Sequence, residues 1–169
     1  MMSKDDILTL DLPDEGHKMQ ISFQGYKYSI TLLDANTIRK DPNPPTIELP
    51  GKVVLSGNDL NSAITAAAEV ADKIALGIEQ ASEVFYMIAE GDTDHIRREF
   101  GRNEVKFINL VDARSLFSLD YLKDMGKVMS RSEAVEVQLG NDHPVKFSFD
   151  IAGGKGHVEY LLAPRIEAD

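Results

Sequence analysis

Residues 52–78 read KVVLSGNDLNSAITAAAEVADKIALGI, and this stretch decides the fold. Val53 to Leu55 is a short apolar run of the length of a strand. Asn58 is placed to cap a helix running to about Ala71, whose apolar stripe is Leu60, Ile64, Ala67, Ala68 and Ala71. Lys73 to Ile78 then returns to strand patterning, and Val84 to Ala89 and about His95 to Phe100 follow as two more strands. The same order recurs downstream. An apolar strand beginning near Lys106 ends at Leu116-Phe117, and Ser118 caps a second helix to about Met129 with the stripe Leu119, Leu122, Met125 and Met129. Three strands close the chain: Ala134 to Leu139, Val145 to Ile151 and His157 to Leu162, with Gly140-Asn141-Asp142 and Gly153-Gly154-Lys155-Gly156 as turns. A βαβββ unit repeated in this way is an α+β architecture. Each helix has one apolar stripe to bury, so the expectation is a layer of two helices on one antiparallel sheet.

Upstream, alternation of period two marks three strands: Asp6 to Leu12, Lys18 to Phe23 and Tyr26 to Leu32. Pro13-Asp14-Glu15-Gly16 and Gln24-Gly25 supply the turns of an antiparallel meander. From Asp34 to Gly51 the pattern fails. Pro42, Pro44, Pro45 and Pro50 lie here, and proline, which fixes φ and lacks an amide donor, cannot continue a ladder. The stretch reads as an extended connector. Three segments follow: 1–33, 34–51 and 52–169.

The chain has 169 residues, no cysteine and a formal charge of −10. Without cysteine there is no disulfide framework, thiolate metal site or thiol nucleophile. No run approaches the ~18 apolar residues of a membrane span. The polar, charged opening Met1 to Leu10 does not read as a signal peptide. The expected compartment is the cytoplasm. A pI near 4.8 argues against a protein that coats nucleic acid with its whole surface.

No catalytic constellation emerges, and no enzyme, metal or cofactor is expected. His17, His95, His143 and His157 sit at turns and strand ends without metal-ligand spacing. Gly153 to Gly156 lacks the Ser/Thr and the helix of a phosphate loop. Glu90 to Asp94 lacks the closing glutamate of a calcium loop. Lys73, Lys123, Lys127 and Arg131, on or near the outward helix faces, suit both phosphate contact and ordinary solvation. The tail from Tyr160 to Ile166 is apolar and stopped by Pro164. It is equally able to wall a groove for a partner peptide and to dock on its own core.

The segments Ser115-Leu116-Phe117-Ser118-Leu119-Asp120-Tyr121-Leu122-Lys123-Asp124-Met125 and Tyr160-Leu161-Leu162-Ala163-Pro164-Arg165-Ile166-Glu167 resemble the carboxy-terminal domain of archaeal proliferating cell nuclear antigen (PCNA), the replication sliding clamp. Tyr28 to Asp34, with Ile38-Arg39 and Pro42, resembles the last strand of its amino domain and its interdomain connector. Ala89 to Asp94 also matches the archaeal pattern. The resemblance implies a DNA-clamp fold of βαβββ units, helices lining a ring and sheets outside. It implies a processivity factor, nucleoid-associated, that encircles or associates with duplex DNA. Its partners would be DNA polymerase, clamp loader and other proteins with clamp-binding motifs, and itself or a full-length clamp subunit.

By that resemblance the partner-peptide groove is Ile38, Pro42, Pro44, Pro144, Leu162, Ala163, Pro164 and Ile166. The DNA-facing set is Lys73, Lys123, Lys127 and Arg131. The subunit interface pairs the strand of Tyr26, Tyr28 and Ile30 with the strand of His95, Arg97 and Phe100 of the next chain. Two departures stand out. Residues 1–33 match only the trailing three strands of an amino domain, and Asn58 to Ala71 carries no lysine or arginine. Hence the alternatives: a non-encircling module or regulator that binds a full-length clamp or clamp-binding peptides, or a truncated clamp fragment.

Overall fold

The computed structural model describes residues 7–13, 17–34, 36–39 and 47–166. The chain divides into two compact units, residues 1–46 and 47–169. In the first, β1 (Thr9–Asp11), β2 (Lys18–Phe23) and β3 (Tyr26–Thr31) form an antiparallel meander. Ile21 lies opposite both Leu10 and Tyr28, and Met19 opposite Ile30, so the alternating apolar residues share one face. Gln24 and Gly25 both take positive φ, 45° and 80°, as a two-residue type I′ hairpin demands. Residues 14–16 of the expected first turn, and Pro42, Pro44 and Pro45 of the connector, lie outside the described residues.

The second unit runs β4 (Gly51–Leu55), α1 (Gly57–Ala67), β5 (Lys73–Glu79), β6 (Val84–Glu90), β7 (His95–Phe100), β8 (Phe107–Asn109), β9 (Ala113–Ser118), α2 (Leu119–Met129), β10 (Val135–Leu139), β11 (Val145–Ile151) and β12 (Gly156–Leu162). The repeated order is present, but the single sheet is not. One antiparallel sheet has the order β12-β11-β10-β4-β8, and a second has β7-β6-β5-β9. The cause is an exchange of leading strands. β4, which opens the first repeat, pairs with β10 of the second, and β9, leading into α2, pairs with β5 of the first. The expected strand from Lys106 to Phe117 breaks for the same reason. Its first part, β8, pairs with β4 in one sheet, and its second, β9, belongs to the other.

The helices need that two-sheet floor. Leu60, Ile64 and Ala67 of α1 and Leu119, Leu122 and Met129 of α2 are buried in one core with Val53, Leu76, Phe85, Phe117, Val137 and Phe147. The N-cap of α1 is Ser56 rather than Asn58, its hydroxyl accepting from the Asp59 amide at 3.5 Å. The helix also ends at Ala67, short of Ala71. The amides of Glu69 and Val70 donate three residues back, to Ala66 and Ala67, and this tightens the last turn out of α geometry. α2 begins where expected, but Ser118 makes no side-chain cap bond. Instead the Leu119 amide donates to the Asp72 carbonyl at 2.9 Å.

The two helices approach closely at glycines. A Cβ on Gly57 would stand 1.9 Å from the Met129 carbonyl oxygen, and one on Gly126 would stand 2.8 Å from Asn61 Oδ1. The Gly57 amide donates to the Ser132 carbonyl, joining the start of α1 to the segment after α2.

Candidate functional site: a tail-walled cleft, a helix face and two strand edges

Strand alternation creates the cleft. In β5, Ile74, Leu76 and Ile78 enter the core, so Lys73 and Ala75 face the other way. Ile88 and Glu90 of β6 and Arg114 and Leu116 of β9 stand on that same outer face. Together with Asp142 and the tail residues Pro164, Arg165 and Ile166 they line a cleft of about 490 Å³. The tail is mounted on the edge of β9. The Arg165 amide donates to the Leu116 carbonyl at 2.7 Å, and Arg165 Nη1 donates to Asp72 Oδ2 at 3.0 Å. That guanidinium bond holds the Asp72 carboxyl below its ordinary titration range. Ile166 is 92 % exposed beyond this anchor. An apolar floor of Ala75, Ile88, Leu116 and Pro164 under a rim of charged side chains suits a short peptide with apolar anchors.

The groove residues expected from the sequence are only partly brought together. Pro164 and Ile166 line the cleft. Leu162 packs against the core instead, while Ala163 is exposed. Pro144 is half-buried and precedes Val145, which pairs with Leu162 at the last rung of β11 and β12. Ile38 is exposed in the first unit, and Pro42 and Pro44 lie outside the described residues. Sequence reasoning missed Ala75, Ile88, Glu90, Arg114, Leu116, Asp142 and Arg165. The alternation of β5, β6 and β9 carried the signal for the strand residues, because every second residue of a core strand faces outward.

Of the DNA-facing candidates, Lys123 and Lys127 are exposed on α2, opposite buried Leu122, and Arg131 is exposed just past its end. Lys127 reaches Asp124 at 2.9 Å, which lowers the Asp124 carboxyl from its usual range. Both side chains are solvated, so the pair is weak and easily exchanged for another anion. Lys73 stands apart from these three. Its place on the outer sheet face, beside Ala75 and Pro164, sets it among the cleft residues and away from the core-facing side of the sheet on which the helices pack. α1 contributes no cation.

The proposed interface strands are both sheet edges: β3 ends the three-stranded sheet and β7 the four-stranded one. Tyr26, Tyr28 and Ile30 are exposed, with Tyr28 at 52 % and stacked on Phe23 at 6.1 Å. On β7, His95 is exposed, and Arg97 lies over the Tyr86 ring at 4.5 Å while bonding Glu99 at 2.6 Å. Phe100 turns its side chain inward. It is 1 % exposed and packs on Phe85 at 5.8 Å, so its side chain serves the core and only its backbone lies on the edge.

Among the described residues no group of three His, Asp or Glu side chains is placed to hold a metal. No described helix is long and apolar enough to cross a membrane.

Residues 101–165 match the family model described as proliferating cell nuclear antigen, C-terminal domain. Over all 169 residues the chain is 69 % identical to the DNA polymerase sliding clamp of Methanoregula boonei and 67 % identical to that of Methanosphaerula palustris. It spans 68 % of the length of each. A solved structure of A. fulgidus PCNA with the C-terminal region of FEN-1 bound matches 99 % of this chain and 67 % of its own, at 36 % identity and a TM-score of 0.90. PCNA from Thermococcus kodakaraensis, at 24 % identity and a TM-score of 0.81, shares the fold over 96 % of this chain and 67 % of its own. With relatives this similar along its whole length, the chain belongs to the DNA polymerase sliding clamp family.

Proposed function

We propose that the chain works as a sliding-clamp processivity factor. Enzymes are tethered at the cleft, duplex DNA is held against the α2 face, and copies join through the β3 and β7 edges. The observation that carries this reading is the tail. Beyond the last strand the tail anchors on β9 through the Arg165 amide, and its apolar residues Pro164 and Ile166 stand with Ala75, Ile88 and Leu116 in the cleft lining. A relative with 36 % identity is seen with the C-terminal region of FEN-1 bound, which supports a peptide ligand of that kind here. Lys123, Lys127 and Arg131 would touch phosphates and set position without reading sequence. Unpaired backbone groups along β3 and β7 suit edge-to-edge association.

Calorimetric titration with the C-terminal peptide of A. fulgidus FEN-1 tests the cleft. Pro164→Ala with Ile166→Ala should weaken binding about tenfold or more while leaving the thermal midpoint unchanged, because both residues follow the last strand. Unchanged affinity in the double variant would contradict the assignment.

A second reading has its own observation. α1 carries no outward cation, so the positive face is confined to α2 and the residue just past it and is narrow. A non-encircling module that keeps the cleft but holds DNA weakly fits that face.

A further inference from the structure

Ser115 is the single buried polar residue among those described, 1 % exposed on an otherwise apolar strand face. Its hydroxyl both donates and accepts. It donates to the Gly140 carbonyl at 2.9 Å and accepts from the His143 amide at 3.0 Å. Next to it, the Arg114 amide donates to Asn141 Oδ1 at 2.9 Å, and the Arg114 carbonyl accepts from the Asp142 amide at 3.0 Å. Four bonds therefore fasten the β10–β11 turn, residues 140–143, to two residues of β9. The turn belongs to the five-stranded sheet and β9 to the other, so the latch ties the sheets together beside the cleft.

The position is specific. Asp142 and Arg114 line the cleft, and Leu116, two residues on, accepts the tail's Arg165 amide. Residues 114–116 of one edge strand thus carry both walls: the turn through 114 and 115, the tail through 116. Asp142 also has φ of 52°, the left-handed turn conformation that aspartate tolerates better than most residues. Alanine at 115 would leave the Gly140 carbonyl and the His143 amide without this partner, and the turn would have less reason to stay folded against β9.

We infer that Ser115 and Asn141 form a positioning latch that sets the distance between the Asp142 wall and the Pro164–Ile166 wall, and thereby the affinity of the cleft for its peptide. Neither residue is assigned contact with the peptide. The inference rests on the peptide reading of the cleft proposed above.

The test uses the full chain, Ser115→Ala, Asn141→Ala, and the control Val137→Ala, a buried β10 position outside the cleft lining. Hydrogen exchange at the amides of Asp142 and His143 reads the latch. Calorimetry with the C-terminal peptide of A. fulgidus FEN-1 reads the affinity. Ser115→Ala should speed exchange at both amides and weaken the peptide about threefold to tenfold, the loss of one or two hydrogen bonds of positioning. Asn141→Ala should act in the same direction. Val137→Ala should lower stability with the peptide affinity kept. Faster exchange with unchanged affinity in Ser115→Ala would overturn the positioning role alone. No peptide binding by the parent chain would overturn the cleft reading and the positioning role with it, while the exchange result would still show whether the hydroxyl holds the turn.

Discussion

Asp72 ends the stretch after α1, and the carboxylate it offers to Arg165 joins the tail to the four-stranded sheet. Its titration is depressed first by that hydrogen bond and then, against the opposing cost of burial, by the guanidinium charge. A carboxyl with a lowered folded-state pKa contributes fully above its unfolded value and loses that contribution as pH falls through the lowered one. Tail anchoring should therefore be constant through neutral and mildly acidic pH and weaken only below the ordinary aspartate range. Hydrogen exchange at the Arg165 amide checks this, with Asp72→Asn expected to show the weakened anchoring at every pH. Unaltered protection in Asp72→Asn would show that the Leu116 carbonyl bond holds the tail by itself. Little of this residue-level design was legible beforehand. Pro164 and Ile166 drew notice because an apolar tail stopped by proline is unusual after a last strand. Arg165 and Asp72 are 93 positions apart, and nothing local ties them. Nothing in the sequence singles out the bonding of Ser115, because a hydroxyl's partners across two sheets leave no mark on periodicity.

At the scale of elements, the sequence was most readable where periodicity acts within one segment. β2, β7 and β11 run over the expected residues, because alternation or charge boundaries define them. Lys73 stood at the edge of such a segment, and extending the alternation of Ile74, Leu76 and Ile78 by one residue would have sent it to the outer face. The exchange of β4 and β9 between sheets was hidden, since pairing partners lie far apart in the chain. The chain passes from one sheet to the other at Leu110-Val111-Asp112, where apolar residues continue the run and leave the break unmarked. Helix contact gives a sharp prediction at this scale. Gly57 has no room for a methyl group, since its Cβ would meet the backbone of Met129 and Ser132, which cannot swing aside. Gly57→Ala should destabilise the second unit by about 1–3 kcal/mol, the usual cost of overpacking a tight contact. Urea unfolding measures it, and a stability equal to the parent would mean that α1 and α2 can separate at no cost.

For the whole molecule, charge and length pull in different directions. A formal charge of −10 spreads over a chain whose exposed cations include Lys123, Lys127 and Arg131 around one helix. Binding DNA needs positive charge only on the surface that faces it, so the acidic total and a DNA-facing helix are compatible. The chain spans 68 % of the length of its relatives, and both β3 and β7 lie at sheet edges. Edge-to-edge association of a β3 in one copy with a β7 in the next is a heterologous contact, which closes into a ring only when its rotation allows. Repetition of βαβββ made the α+β class readable from the sequence, because a repeat is a property of the chain itself, whereas the family resemblance rested on the wording of segments such as 115–125 and 160–167. Closure is a property of several chains and leaves no such trace. The most direct measurement is retention on closed circular duplex DNA, followed by linearisation of the same DNA. The clamp account predicts that the protein stays on the circle at a salt concentration that removes simple phosphate contacts, and runs off once the circle is cut. Equal retention on circular and linear DNA, or none on either, would contradict encirclement and favour the non-encircling module.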